Sequence, residues 1–406
     1  MPAKPSMLTR VFVALLLLPA CSSSGSGSAP GTGGVKGTGG VTTSGSGGTP
    51  DGSGGAPGSG GAVGTGGEAA GTGGSDPGTG GSADTGGAGG AISGGRGGGA
   101  PGGTTGTGGA GGADTGPIGG APHVTPSMAT SIPAMFGTTV SNGGKLTPNV
   151  TYPVYYYSTS LPSALPPPTV PKQATAMTKS CNVYTPPGYD DKMQYPLIVI
   201  MHGITDNPNT WNERANPKIA TLFDNLIISK TTKPFIAVFG SGTVGNNTNG
   251  YYAFGAELVN DLLPFIESKY SVSKDRGSRA MAGFSFGGMQ TLNIGVCAHL
   301  KEFAWFAGLD AAGGTATADD IAKYVTMQNP QMYPLYYFYM SAGANDGGAK
   351  SALEAAANGL TSKGPYITSA NFSFQENITG PGNGAHLYPT AEVGLYNFLR
   401  MAFAAN

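Results

Sequence analysis

The chain has 406 residues and a formal net charge of −1, with only 11% charged residues against a usual share of about 25%. Of its 72 glycines, 45 lie between residues 21 and 120, a stretch that contains no Phe, Trp or Tyr. Such a stretch cannot bury enough apolar surface to fold, so we expect the folded part to begin near Ala121. Beyond residue 120 the chain carries 17 basic and 17 acidic side chains, which excludes a basic surface for nucleic acid.

The first 21 residues show the pattern of an export signal. Lys4 and Arg10 precede an apolar run over residues 11–18, which is too short to span a bilayer. The run ends at Ala20-Cys21, which resembles the lipobox of bacterial lipoproteins and implies a lipid on Cys21. Ordinary secretion after cleavage near Ala20 is the alternative. Both interpretations export the protein, and the first attaches it to the cell surface or outer membrane through the lipid anchor alone.

Residues 22–122 repeat Gly-Thr-Gly-Gly and Gly-Ser-Gly themes without the strict period of collagen. A random coil of about 100 such residues has a root-mean-square span of roughly 50–60 Å. We therefore expect a flexible tether, followed by one folded domain over residues 123–406. A structural role in a surface layer is the alternative for the repeats, and the long folded part behind them favours the tether.

From about residue 150 onward, short apolar runs alternate with helical stretches. Strands are predicted at 154–158, 180–185, 197–201, 235–239, 278–282, 303–309, 335–340 and 371–376. Helices are predicted at 219–229, 257–270, 286–299, 350–362 and 390–404. This alternation predicts an α/β fold, with a mostly parallel sheet covered by helices on both faces. The opening strands, which no helix joins, are expected to form an antiparallel edge.

Residues 283–287 form a Gly-x-Ser-x-Gly motif (GFSFG) that occurs once in the chain. It lies where a predicted strand gives way to a predicted helix. A serine on such a tight turn presents its hydroxyl above the sheet, and the free N–H groups of the following helix favour negative charge beside it. Ser285 is therefore the predicted nucleophile.

A nucleophilic serine needs a base, and the chain has four histidines. His386 lies between the last predicted strand and the last predicted helix, where an imidazole can reach the carboxyl edge of the sheet. His123 lies at the end of the predicted tether, and His299 at the end of a helix, as a surface or capping residue. His202 follows the strand over 197–201 and is expected to hold that turn by hydrogen bonds.

The acid and the oxyanion donors complete the predicted site. Asp346 follows the strand over 335–340 and gives the chain order serine, acid, histidine of an α/β-hydrolase. Asp310, at the end of the preceding strand, is the rival acid. The N–H of Phe286 comes directly after the nucleophile, and the N–H of Ile204 lies in the turn after the strand over 197–201. These two N–H groups form the predicted oxyanion hole.

The remaining cysteines, Cys181 and Cys297, either pair with each other or are two buried thiols. Two cysteines and four histidines do not form the ligand spacing of a metal site. We therefore predict chemistry without a metal or an organic cofactor.

Several segments together resemble the esterase-D and feruloyl-esterase group of α/β-hydrolases. They are residues 183–190 (VYTPPGYD), 201–203 (MHG), 257–266 (ELVNDLLPFI), 283–289 (GFSFGGM) and 384–386 (GAH). The similarity extends from about residue 150 to the last helix and implies a triad of Ser285, Asp346 and His386. One position departs from the group, in which a tryptophan often stands two residues after the histidine. Here that position is Tyr388, which implies a different acyl pocket.

The motifs and the resemblance together predict an exported serine carboxylesterase. The resemblance implies an ester-substituted polysaccharide or a small aryl ester as substrate, such as feruloyl or acetyl esters of xylan. Trp211, Tyr251 and Tyr252 follow core strands and either stack on the substrate or pack in the core. The alternatives are an acyltransferase, a polyester depolymerase, or a carbohydrate-binding surface protein without catalysis.

Overall fold

The structure, a computed structural model, describes residues 127–158, 161, 164–243 and 248–405. The predicted export signal, Cys21, the tether over 22–122 and His123 lie outside the described residues. Within these ranges, no helix has the length and apolar character needed to cross a membrane.

The centre of the fold is a sheet of eight strands in the order β1-β2-β4-β3-β5-β6-β7-β8. The strands β1 and β2 pair antiparallel, as do β2 and β4, and every other neighbouring pair is parallel. The predicted parallel sheet with an antiparallel edge is thereby confirmed. The strands are β1 (Lys145–Val154), β2 (Met177–Thr185), β3 (Leu197–Met201), β4 (Ile236–Gly240), β5 (Arg279–Phe284), β6 (Trp305–Leu309), β7 (Tyr337–Gly343) and β8 (Phe372–Ile378).

Helices cover both faces of this sheet. Every residue of β3 is buried: Leu197, Val199 and Met201 belong to one hydrophobic cluster, and Ile198 and Ile200 to the other. Alternate side chains of a strand point to opposite faces, so the sheet separates two cores. The helices are α1 (Thr210–Arg214), α2 (Ile219–Ile228), α3 (Phe254–Glu257), α4 (Leu263–Lys269), α5 (Phe286–Gln290), α6 (Ala318–Met327), α7 (Gly347–Ala357) and α8 (Tyr388–Ala402).

Two of the predicted helices are longer than the α-helices of the structure. The stretch predicted at 257–270 contains the end of α3, a π-helical turn over Leu258–Leu262, and α4. The stretch predicted at 286–299 contains α5, followed by a π-helical turn over Thr291–Val296. The apolar periodicity located both helical segments, but it did not predict the change of hydrogen-bond pattern within them.

The strand predicted at 154–158 is wrong. The observed strand β1 ends at Val154, and the chain then leaves the sheet. Backbone N–H groups of Tyr155 and Tyr156 donate to Oδ2 of Asp261, at 2.9 and 2.8 Å, and not to a neighbouring strand. A run of β-prone residues therefore does not extend the strand here, because a side chain 105 residues away takes its hydrogen bonds.

Helix α6 was not predicted, although its first turn carries a local signal. The side chain of Thr317 accepts from the N–H of Asp320, and the Asp320 carboxylate accepts from the N–H of Thr317. This capping box uses Asp where Glu or Gln is more common, which weakens the sequence pattern.

The carboxyl ends of the parallel strands lie at one edge of the sheet. Residues that follow β3, β5, β6, β7 and β8 therefore meet there, although they are far apart in the chain. This edge carries all of the predicted site residues that directly follow a strand.

Candidate active site

Ser285 lies on a tight turn between β5 and α5. Its backbone has φ 57° and ψ −115°, in a region that residues with a side chain rarely adopt. The turn requires glycine on both sides, because a Cβ on Gly283 would lie only 2.2 Å from the backbone of Gly287. The N–H of Ser285 donates to the carbonyl oxygen of Leu309 at 3.0 Å, which ties the strained residue to the neighbouring strand β6.

Three side chains form a hydrogen-bonded chain at this turn. Nε2 of His386 lies 2.9 Å from Oγ of Ser285, and its Nδ1 lies 2.5 Å from Oδ2 of Asp346. The serine and the aspartate are buried, whereas 41% of the histidine side chain is exposed. The structure thus brings together the three residues that the sequence predicts as nucleophile, base and acid.

The loops that carry the acid and the base are bonded to each other. The backbone N–H of Asn345 donates to the carbonyl oxygen of Gly384 at 2.8 Å, and its side-chain amide donates to the carbonyl oxygen of Asn383 at 2.7 Å. The ring of Phe284 packs against the imidazole of His386, with the ring centroids 4.7 Å apart. These contacts hold the imidazole between the carboxylate and the serine hydroxyl.

The rival acid, Asp310, does not contact the imidazole. Its Oδ1 accepts from the N–H of Gly343 at 2.7 Å, and its side chain has no exposed surface. Burial is the main cause that raises the pKa of Asp310 well above its usual value. Of the two candidate acids, Asp346 is the one bonded to His386.

The turn after β3 lies beside the nucleophile. A Cβ on Gly203 would lie 3.5 Å from Cβ of Ser285, so the residue that precedes Ile204 lies near the serine. The N–H of Gly203 donates to the hydroxyl of Tyr388 at 3.0 Å, and this hydroxyl donates to Oδ2 of Asp206 at 2.9 Å. Burial raises the pKa of Tyr388, so its hydroxyl keeps the proton that it donates.

His202 also holds this turn. Its Nδ1 donates to the carbonyl oxygen of Gly203 at 2.8 Å, and the whole residue is buried. Burial lowers the pKa of His202, which favours the neutral imidazole. The bond to Gly203 agrees with the predicted structural role of His202.

Several known proteins are similar in sequence to the part of the chain that contains the serine turn. Residues 173–309, which include β2 to β6 and the serine turn, match the model of the family described as "Putative esterase". An endo-1,4-beta-xylanase/feruloyl esterase of Xylanibacter ruminicola is 30% identical over 211 residues, which are 47% of this chain and 27% of that protein. Endo-1,4-beta-xylanase Y of Acetivibrio thermocellus is 35% identical over 124 residues, 28% of this chain and 11% of that protein.

Solved structures show the same fold. A mutant of the feruloyl esterase module from Clostridium thermocellum, complexed with sinapinate, superposes with a TM-score of 0.53 at 22% identity, over 67% of this chain and 92% of that one. A ferulic acid esterase from the anaerobic fungus Anaeromyces mucronatus superposes with a TM-score of 0.50 at 20% identity, over 69% and 98% of the two chains. The described part of the chain therefore has the α/β-hydrolase fold of these feruloyl esterases.

The aromatic residues that were candidates for substrate contact lie in two different places. Tyr251, Tyr252 and Met289 form a small cluster beside the serine turn, and the half-buried ring of Phe286 packs against it. The ring centroids of Tyr251 and Phe286 are 4.8 Å apart. The hydroxyl of Tyr251 is buried and has no hydrogen-bond partner among the described residues.

Trp211 lies in the core and has no exposed surface. Its indole N–H donates to the carbonyl oxygen of Met201 at 3.0 Å, and its ring stands edge-on to Tyr388 with the centroids 5.0 Å apart. Of the two roles considered for Trp211, packing is the one that the structure supports. The ring supports the tyrosine whose hydroxyl holds the turn after β3.

Cys181 and Cys297 are free and buried. Burial raises the pKa of Cys181 to about 12, and it also raises the pKa of Cys297, so both remain thiols at neutral pH. Among the residues that the structure describes, no group of His, Cys, Asp or Glu has an arrangement that could hold a metal ion.

The hydrogen bonds of Tyr388, Asp206 and Asp310 were not predicted. Tyr388 stood out only as a departure from the tryptophan of the resembling group, and Asp206 accepts both from it and from Arg214. These bonds join the turn after β3 to the start of α8. The bonded residues Gly203 and Tyr388 are 185 positions apart in the chain. No local pattern in the sequence predicts a contact between residues so far apart in the chain.

Proposed function

We propose that this protein is a serine carboxylesterase that releases hydroxycinnamic acids, such as ferulate, from esters on xylan-type polysaccharides. The hydrogen-bonded chain of Ser285, His386 and Asp346 at a strained strand-to-helix turn is the observation that carries the proposal. A turn of this kind fixes the hydroxyl of the serine, and the bonded imidazole is in position to take its proton.

The first half of the reaction is acyl transfer to the enzyme. Oγ of Ser285 attacks the ester carbonyl carbon while Nε2 of His386, 2.9 Å away, takes the hydroxyl proton. The imidazolium that forms is stabilised by Asp346, which accepts from Nδ1. His386 then gives the proton to the leaving sugar oxygen, and the acyl group remains on the serine as an ester.

The second half repeats the same steps with water. His386 takes a proton from a water molecule, whose oxygen attacks the acyl-enzyme, and the proton then returns to Oγ of Ser285. In both halves the N–H groups of Ile204 and Phe286 are proposed to bind the oxyanion, whose charge the N-terminus of α5 also favours. The chemistry uses no metal and no organic cofactor.

The substrate class rests on the surroundings of the serine and on the names of the relatives. The half-buried ring of Phe286, which packs on the buried cluster of Tyr251, Tyr252 and Met289, is the aromatic group proposed to contact a planar acyl group. The Xylanibacter ruminicola relative is named a xylanase and feruloyl esterase, and the Clostridium thermocellum module was solved with sinapinate.

A substrate panel tests the acyl preference. We expect kcat/KM for methyl ferulate and methyl sinapinate to exceed that for a matched methyl ester of a short aliphatic acid by about 100-fold or more, because a buried aromatic ring contributes several kcal/mol. Release of ferulate from feruloylated xylan and of acetate from acetylated xylan is measured in parallel, by chromatography.

The other outcomes of the panel separate the remaining candidate functions. Release of acetate without ferulate would replace the proposal by an acetylxylan esterase. Transfer of the acyl group to an added alcohol, in place of hydrolysis, would indicate an acyltransferase, and soluble products from a polyester film would indicate a depolymerase. Binding to xylan with no turnover of any ester would indicate a carbohydrate-binding protein.

Tyr388→Phe tests the turn that carries the proposed oxyanion donor. Loss of the hydroxyl leaves the buried N–H of Gly203 without its acceptor and removes a donor from Asp206. We expect kcat/KM to fall by about tenfold and the free energy of unfolding to fall by about 1–2 kcal/mol. Steady-state kinetics and urea unfolding measure the two effects.

A second tyrosine on α8 provides the control. Tyr396→Phe removes a hydroxyl from the same helix, from a ring that packs on Phe136 at a centroid distance of 5.2 Å. This control is expected to keep the wild-type kcat/KM. Equal effects of the two substitutions would argue against a special role for the Tyr388 hydroxyl.

The proposal includes export and lipidation at Cys21, followed by the tether over residues 22–122. Incorporation of a labelled fatty acid into the wild-type protein, and its loss in Cys21→Ser, is the expected result. A wild-type protein that is exported without label would favour ordinary secretion after cleavage near Ala20.

A further inference from the structure

Asp310 lies at the end of β6, next to the strand whose loop carries Asp346. Its backbone has a positive φ of 42°, and its N–H donates to the carbonyl oxygen of Ser341 at 2.7 Å. Its Oδ1 accepts from the N–H of Gly343 at 2.7 Å, at the last residue of β7. One oxygen of the side chain thus anchors the start of the loop that holds Asp346.

The second oxygen of Asp310 is buried and receives no hydrogen bond from any N–H or hydroxyl of the described residues. No ion pair in the described part of the chain includes Asp310. It is bonded to Gly343, whose carbonyl oxygen accepts from the N–H of Asp346 at 3.1 Å, and a side-chain hydrogen bond with Asp346 is one of the causes that raise the pKa of Asp310. Two ionised carboxylates side by side share no proton and repel each other. They form a hydrogen bond only when one of them is the neutral acid.

The surroundings decide which of the two carboxyl groups carries the proton. Asp346 accepts from Nδ1 of His386 at 2.5 Å and from the N–H of Ala349 at 3.3 Å, at the N-terminus of α7. Asp346 is the acceptor in both of these hydrogen bonds. Asp310 has one N–H donor and no exposed surface, and its pKa is raised well above the usual value.

We propose that Asp310 is a positioning residue, held as the neutral acid, whose hydroxyl donates a hydrogen bond to the carboxylate of Asp346. The inference rests on the proposed function of the Ser285 site. Asp346 then receives donors from His386, from Ala349 and from Asp310, so its carboxylate is held in one orientation toward the imidazole. The other oxygen of Asp310 holds the same loop through Gly343.

Infrared spectroscopy tests the proton on Asp310 without using activity. Cell-free synthesis with isotope-labelled aspartate carboxyls separates aspartates from the buried Glu257 and Glu392, whose pKa values burial also raises. We expect an isotope-shifted carboxylic-acid band in the wild-type protein at neutral pH and its absence in Asp310→Asn. A wild-type protein without this band, or a band that persists in Asp310→Asn, would overturn the proposal.

Kinetics of Asp310→Asn and Asp310→Leu test the positioning role. The amide of asparagine offers one oxygen to Gly343 and one N–H to Asp346, as the neutral acid does, so we expect kcat within about threefold of wild type. Leucine offers neither, and we expect kcat to fall by about tenfold to 100-fold with little change in KM.

The pH dependence of Asp310→Asn distinguishes the neutral acid from a charged one. Replacing an ionised carboxylate would remove negative charge near His386, which would move the acid limb of kcat/KM to lower pH. Replacing a neutral acid leaves this limb in place, which is the result we expect. A downward shift of about one unit would overturn the proposal, even if Asp310→Leu fails to fold.

Failure of this inference is distinguishable from failure of the proposed function. If the protein turns over no ester, the infrared band still reports the proton on Asp310. If the protein is an active esterase but lacks the band, the proposed function stands and Asp310 is only an anchor for Gly343.

Discussion

Ser285→Ala is expected to lower kcat for a short-chain aryl ester by about 10⁵- to 10⁶-fold, because the proposed acyl-enzyme cannot form without Oγ. The remaining rate reflects binding and the oxyanion donors alone. Steady-state kinetics measure the loss. A fluorophosphonate probe measures the nucleophile directly, since it is expected to label the wild-type protein at Ser285 and to leave the variant unlabelled.

The fold is expected to tolerate this change. Alanine keeps the backbone bonds of residue 285 to Leu309 and Met289, and its Cβ needs no more room than that of serine. The melting temperature should therefore stay within about 2 °C of wild type. Ser351→Ala, at an exposed position of α7, is the matched control and should keep both full activity and probe labelling. Full activity of Ser285→Ala would refute the proposed nucleophile.

Asp346→Asn is expected to lower kcat by about 10⁴-fold, with KM little changed. An asparagine amide that donates to Nδ1 of His386 places the imidazole proton on Nε2. That nitrogen then donates to Oγ of Ser285 and cannot take its proton. Asp346 also caps α7 by accepting a hydrogen bond from the N–H of Ala349. Because the asparagine oxygen can still accept this bond, unfolding experiments should show only a small loss of stability.

The contrast with Asp310→Asn makes this prediction specific to one acid. Both aspartates are buried within the same set of loops, and only Asp346 is bonded to the imidazole. We expect kcat of the two asparagine variants to differ by about three orders of magnitude. A large loss in Asp310→Asn together with a small loss in Asp346→Asn would exchange their proposed roles.

Sequence patterns predicted those features of the fold that depend on neighbouring residues. The apolar run that forms β3 is buried on both faces over its whole length, as the pattern indicated. The Gly-x-Ser-x-Gly motif located the strained turn at Ser285, because the glycines that permit the turn lie within two residues of it. The alternation of strands and helices then implied a parallel sheet, whose carboxyl ends meet at one edge.

Sequence patterns gave a wrong prediction where a group far away in the chain accepts the backbone hydrogen bonds. The run after Val154 is rich in tyrosine, but the chain leaves the sheet there because Asp261 accepts its N–H groups. Residue order by itself also left Asp310 and Asp346 as rival acids. They follow adjacent strands, and only the side-chain directions show which of them reaches His386.

The amino-acid order by itself thus determined the fold class, the candidate nucleophile and the short set of residues from which the base and acid come. The tertiary structure decided which aspartate faces the imidazole, that Tyr388 holds the turn after β3, and that Asp310 accepts from the N–H of Gly343. The physical reason is the range of the interactions. Backbone turns and apolar periodicity depend on a few adjacent residues, whereas hydrogen bonds among buried polar groups depend on where the whole fold places each donor and acceptor.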